Sequence, residues 1–171
     1  MNYENFNPRA FLLAQARELL TQAANAAMAD GSLPQAELPA FITEIPADRK
    51  NGDVASNMAM AGARAWHKAP KMIAEAILAH LPSLQGTCWD RAEVAGPGFI
   101  NLYTGADWLS TVVLAAATNP EYGRTNYGNG QKYNVEFVSA NPTGPMHMGN
   151  ARGGALGDCL AAVLDWAGYQ V

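Results

Sequence analysis

The sequence predicts an α/β chain in two parts. The first is an N-terminal α+β domain, helices with a small, mostly antiparallel sheet. The second is the opening strand, loop and helix of a Rossmann-like, doubly wound sheet. Three observations predict this. Apolar residues recur at helical spacing through the first half of the chain. Two strand-like runs, 89–94 and 99–103, flank the turn Ala95-Gly96-Pro97-Gly98. An apolar run, 133–138, reads as a buried strand and passes through a loop with two prolines and a glycine, 139–145, into a helix opening near Gly149.

In chain order, Asn7-Pro8 supplies a cap and a proline at the first helical position. Phe11, Leu12, Ala16, Leu19, Leu20, Ala23 and Ala27 follow at helical spacing until Gly31. Residues 41–45 form a short strand ahead of Pro46, and 47–52 a polar loop. Asp53 caps a second helix through about Trp66. Pro70 starts a third, with Met72, Ile73, Ala76, Ile77 and Leu81 on its apolar face. The hairpin comes next, then a helix over 106–118 ended by Asn119-Pro120. The stretch 122–132, rich in Gly, Asn and Tyr, marks a boundary and divides the chain into domains 1–125 and 126–171. In the second part the helix from Gly149 to about Trp166 carries Leu156, Leu160, Val163 and Leu164 as a buried stripe, with Gly168 as its C-cap. Residues 169–171 would begin another strand. One strand–loop–helix cannot close a doubly wound sheet, which needs parallel neighbours and helices on both faces. The second domain is therefore expected to be truncated.

Bulk composition excludes several classes. With 49% hydrophobic and 15% charged residues the chain is globular rather than disordered. No apolar run approaches the roughly 20 residues of a membrane span. Residues 1–5 lack a basic stretch followed by an apolar one, so no signal peptide is expected. Cys88 and Cys159 are isolated, without metal-ligand spacing, and read as free thiols in a reducing compartment, with the cytoplasm as default and no protein-bound metal. A formal net charge of −4 argues against a general nucleic-acid binder but leaves room for a local basic face.

A strand running through a tight loop into a helix N-terminus suits phosphate, because the first helical amides are unpaired and carry positive dipole. His147 stands just before that helix. Around it, Ala140-Asn141-Pro142-Thr143-Gly144-Pro145-Met146-His147-Met148-Gly149-Asn150 closely resembles the ATP-binding signature of arginyl-tRNA synthetases, where class I synthetases carry His-Ile-Gly-His. Ser139, Arg152, Gly153, Gly157 and Asp158 also stand at matching places. Upstream, residues 52–60, 70–77 and 95–101 resemble that family's N-terminal additional domain, so the likeness covers most of the chain. One member departs: Asn150 occupies the place of the second histidine, and an amide can donate to phosphate oxygen but carries no charge.

The resemblance implies activation of arginine by ATP, accompanied by Mg2+, and transfer of the arginyl group to tRNA(Arg) by a monomer that needs no membrane. It implies ATP binding by 140–150, with His147 and Asn150 in catalytic positions. It implies arginine binding by Ser139, Asn141 and Glu136, and contact with the tRNA D-loop by Phe99 and Asn101. His147 suits phosphoryl chemistry as a donor at a helix N-terminus, and Gly149 lets the nucleotide approach the backbone. Other readings stay open beside these. Ser139 and Asn141 also fit a loop bonded to its own backbone, and Glu136 fits a structural ion pair. Arg152 fits a phosphate contact or a surface ion pair. Phe99 fits the core, although Phe99, Asn101 and Tyr103 alternate on one strand face and suit an exposed aromatic–polar surface. No Lys-Met-Ser-Lys-Ser-like loop or anticodon-binding domain is present, so these residues alone are expected to be inactive. The alternative is a free-standing tRNA- or RNA-binding module with a vestigial nucleotide-binding strand–loop–helix. A small nucleotidyltransferase is a third reading, which the match in the N-terminal domain disfavours.

Overall fold

The computed structural model describes residues 6–171; residues 1–5, on which the signal-peptide reading rests, lie outside them. The chain forms two compact units, one of Asn7–Ala115 and one that includes Ala116–Val171.

In the first unit, α1 (Pro8–Ala29) starts as its sequence signals: the Asn7 side chain accepts from the Ala10 N–H at 3.0 Å. Such a cap is worth about 1 kcal/mol. Leu12, Ala16, Leu19, Leu20, Ala23 and Ala27 are all buried. Strand β1 (Thr43–Glu44) is the core of the run read at 41–45. Strands β3 (Trp89–Ala95) and β4 (Phe99–Thr104) form the expected hairpin. Gly98 has φ +138, and a Cβ there would lie 2.8 Å from the backbone and ring of Pro70, so the turn admits no side chain. Helices α3 (Pro70–Ala79) and α4 (Ala106–Thr118) also fall where their prolines and periodicity put them. On α3, Ile73 and Ile77 are fully buried as expected, whereas Met72 is 57% exposed and Leu81 lies past the helix end.

The helix expected from Asp53 to Trp66 is not formed. Val54–Ser56 is instead strand β2, pairing antiparallel with β4 in the register Val54↔Leu102, Ala55↔Asn101, Ser56↔Ile100. Asp53 caps no helix; its carboxylate accepts from the Thr104 N–H at 2.8 Å and hydroxyl at 2.9 Å. Only Met58–Gly62 remains helical, as α2. The sheet order is β1-β2-β4-β3, with every neighbour antiparallel. Ile100 and Leu102 of β4 are fully buried, as are Leu20 of α1, Met58 of α2, Ile73 and Ile77 of α3, and Trp66.

His80 joins the ends of α1 and α3. Its Nδ1 lies 2.7 Å from the Ala76 carbonyl oxygen and its Nε2 2.6 Å from the Asp30 carboxylate. Both partners accept, so both ring nitrogens must carry protons, which is the imidazolium form. The Ala76 carbonyl and then Asp30 raise the His80 pKa above its ordinary value. The Ser32 N–H and then His80 hold Asp30 down to about 2. The raised His80 pKa stabilises the fold below its unfolded value of about 6.5, and that stability fades as pH rises through the folded value. The depressed Asp30 pKa contributes above the ordinary carboxylate range and is lost toward about 2. Thermal unfolding across pH should show the midpoint falling as pH rises above the ordinary histidine value of about 6.5. His80→Ala should flatten that limb; an unchanged limb would remove His80 as its source.

In the second unit, α5 (Met148–Trp166) begins one residue before the expected Gly149. At its end the Gly168 N–H donates to the Asp165 carbonyl and the Tyr169 N–H to the Leu164 carbonyl, with Gly168 at φ +87. That is a Schellman closure, which needs a left-handed residue there. Arg124 grips the same end, donating to both carboxylate oxygens of Asp165 at 3.1 and 3.2 Å.

Two expectations fail in this unit. Residues 133–138 form no strand; their ladder is limited to a parallel bridge between Lys132 and Gln170, and Phe137 and Val138 are each 40% exposed. The stripe of α5 is not buried either, with Leu156 71%, Leu160 49% and Val163 64% exposed. Both have one cause. A parallel strand needs strands beside it, and an apolar helix stripe needs a further element over it. Within this unit 133–138 lies against the glycines of α5 but meets no strand beyond the Lys132–Gln170 bridge, and Leu156, Leu160 and Val163 stay exposed.

Candidate functional site

The loop 139–147 is anchored at both ends on α5. On one side Phe137 and Val138 press onto glycines of the helix: a Cβ on Gly157 would lie 2.2 Å from the Phe137 ring, and one on Gly154 3.0 Å from Val138. Glycine at these places lets the segment lie close against the helix. On the other side His147 is the N-cap, in extended conformation. Its Nδ1 accepts from the Gly149 N–H at 3.1 Å, and the Asn150 carboxamide oxygen accepts from the His147 N–H at 3.2 Å. This reciprocal pair is a capping box, with histidine and asparagine in the roles usually taken by Ser or Thr and Glu.

Between the anchors the loop surrounds an open concavity of about 420 Å3, lined by Ser139, Ala140, Asn141, Thr143, Gly144, Pro145, Met146, His147 and Asn150. Of the signature residues, Pro142, Met148 and Gly149 lie outside that lining. Ser139 donates its hydroxyl to Glu136 at 2.6 Å, so two of the residues expected to hold arginine are brought together, with Asn141 on the same concavity. Apart from the half-buried Asn150 the lining is exposed. Its walls are mostly polar, and its donors sit at the positive end of a 19-residue helix, so it suits an anionic ligand. Arg152 and Asp158 are exposed on α5 and form no ion pair among the described residues.

In the first unit, Phe99 and Asn101 line a second concavity of about 440 Å3, together with Glu44, Pro46, Ala47, Asp48, Asn51, Ala55, Ala95 and Gly96. Phe99 is half-buried and Asn101 only 4% exposed, so the expected open aromatic–polar face is instead the wall of a recess. Tyr103 belongs to neither: its hydroxyl donates to the Lys50 carbonyl and Arg91 stacks on its ring at 3.8 Å. Glu44, Asp48 and Asn51, which the sequence marks only as strand and loop, also line this recess. Their only signal was the density of polar side chains in 47–52.

In fold, the chain is similar to the crystal structure of arginyl-tRNA synthetase from Plasmodium falciparum, with a TM-score of 0.51 and 20% identity over 90% of this chain and 29% of that one. The architecture of helices with a small antiparallel sheet is therefore one found in an aminoacyl-tRNA synthetase. Residues 14–104 match the family model described as the arginyl tRNA synthetase N terminal domain, and the chain belongs to that family. Among curated relatives it is 48% identical over 158 residues to the arginine–tRNA ligase of Acetivibrio thermocellus and, over the same length, to that of Ruminiclostridium cellulolyticum. In each case the match takes in 92% of this chain and 28% of the relative, so the chain spans little more than a quarter of their length. No helix among the described residues is long and apolar enough to cross a membrane.

Proposed function

We propose that the chain is the N-terminal part of an arginine–tRNA ligase, a cytoplasmic monomer in which residues 1–125 contact tRNA(Arg) and 126–171 open the catalytic domain. In this reading 133–138 becomes a strand of a Rossmann-like sheet once parallel neighbours lie beside it. The arginine carboxylate attacks the α-phosphorus of ATP, the bond to pyrophosphate breaks, and arginyl adenylate forms. The terminal ribose hydroxyl of the tRNA then takes the arginyl group and AMP leaves. Mg2+ belongs to the reaction as counter-ion of the ATP phosphates rather than as a metal held by this chain.

What supports the reading is the interlocked cap. The residues of the ATP signature are those drawn around one helix N-terminus, and a match of 158 residues in a chain of 171 necessarily takes in 139–150. His147 donates to phosphate oxygens, and that bond strengthens as charge builds on the phosphoryl group. The hydroxyl oxygen of Ser139 and the carboxylate of Glu136 suit an ammonium group, and the Asn141 amide suits a carboxylate. In the first unit, Phe99 offers a face for an unstacked base, while Asn101, Asp48 and Glu44 offer acceptors for its edge. The carboxylates disfavour phosphate there, so the recess suits a base rather than the backbone.

Two measurements test this. ATP added to the isotopically labelled 171-residue polypeptide should shift the backbone resonances of His147, Gly149 and Asn150. If those three stay unmoved while the fold is intact, the ATP assignment is wrong. The same polypeptide should give no arginine-dependent ATP–pyrophosphate exchange, because it carries one corner of the site; robust exchange would refute the division of labour proposed here.

A further inference from the structure

We propose that Asn150 is a positioning residue for His147, acting through the helix cap to fix which imidazole nitrogen carries the proton. The inference rests on the reading of 139–150 as the ATP corner and assigns the departing member of the signature a task.

Nδ1 of His147 accepts a hydrogen bond from the Gly149 N–H at 3.1 Å, so that nitrogen is unprotonated and the neutral ring carries its hydrogen on Nε2. The ring can take this position because residue 149 has no side chain. A Cβ there would come within 3.0 Å of Cε1 and 3.1 Å of Nδ1. The backbone that carries the ring is held in turn by Asn150, whose carboxamide oxygen accepts from the His147 N–H at 3.2 Å. The Asn150 and Ala151 N–H groups both donate to the His147 carbonyl, at 2.9 and 3.2 Å. His147 is thus gripped on both sides of its Cα, and the grip leaves Nε2–H as the donor a ligand in the concavity can use.

Asn150 has further capacity. Its oxygen is engaged by the cap, while its NH2 group retains two donors at the rim of the same concavity. A neutral amide can therefore hold the cap with one end and face an anion with the other, with no change of protonation state.

The test is carried out on the 171-residue chain without nucleotide, with histidine labelled on both ring nitrogens, in mildly alkaline solution. Long-range proton–nitrogen correlations distinguish the two tautomers for His147, and amide exchange reports on its N–H. Wild type should show His147 almost wholly as the Nε2–H form. Asn150→Ala should shift it toward the mixture of a free imidazole and speed exchange of the His147 amide about fivefold, the loss of one cap. Asn150→Asp keeps an acceptor oxygen and should restore both signatures, which guards against a variant that merely frays α5. Wild-type tautomer and exchange in Asn150→Ala would overturn the inference, as would failure of Asn150→Asp to restore them in a chain with intact helix content. Because no ATP is present, these outcomes are separate from the titration that tests the ATP corner itself.

Discussion

Trp66→Ala is expected to cost about 3–5 kcal/mol of folding stability, the range for removing a fully buried indole. Trp66 is 0% exposed and heads the fully buried side chains by volume. Its Nε1–H donates to the Met28 sulfur at 3.4 Å, tying α1 to the turn after α2. The ring lies so close to α2 that a Cβ on Gly62 would sit 2.1 Å from it. Alanine would therefore leave a void bounded by two helices that cannot both move in, and the loss is a large fraction of the roughly 5–15 kcal/mol available to a domain. Urea unfolding with a constant denaturant slope would read it as a lowered midpoint. A loss below about 1 kcal/mol would mean that Trp66 does not organise this core. Gly62→Ala should destabilise the same place by overpacking, by about 1–3 kcal/mol.

The second large effect falls on chemistry. In a chimera of the Acetivibrio thermocellus ligase whose matching segment is replaced by this chain, His147→Ala should lower arginine activation by about 10²–10³-fold, the usual cost of removing one donor to a developing oxyanion. The loss should appear in kcat more than in KM for ATP, because the bond strengthens in the transition state. Stability should change little, since an exposed cap contributes only about 1 kcal/mol. An unchanged rate would take His147 out of the site.

What could be read from residues alone follows how local the cause is. Asn7-Pro8, Pro70 and the Gly96–Gly98 turn act within a few residues, and α1, α3 and the hairpin fall where they point. The strand at Val54–Ser56 carries no local signal, because its state is decided by pairing with β4, more than 40 residues away in sequence. The run 133–138 has strand composition, but composition supplies no partner. The site divides in the same way. In the proposed site, the succession of Pro, Gly, His and Asn is what suggests a phosphate corner, and its proposed substrate comes from the resemblance alone. That Asn150 caps His147, that Ser139 meets Glu136, and that Asn101 lines a recess depend on rotamers and tertiary closure, which no spacing carries.

Arginine-dependent ATP–pyrophosphate exchange by the chimera, with His147 intact, tests the central claim most directly. If residues 139–150 are a working ATP corner of an arginine–tRNA ligase, a folded chimera should exchange at a rate within about tenfold of the parent, a difference of no more than 1.4 kcal/mol in activation free energy. A folded chimera that binds tRNA(Arg) but gives no exchange would contradict the claim and favour an RNA-binding module with a vestigial nucleotide loop.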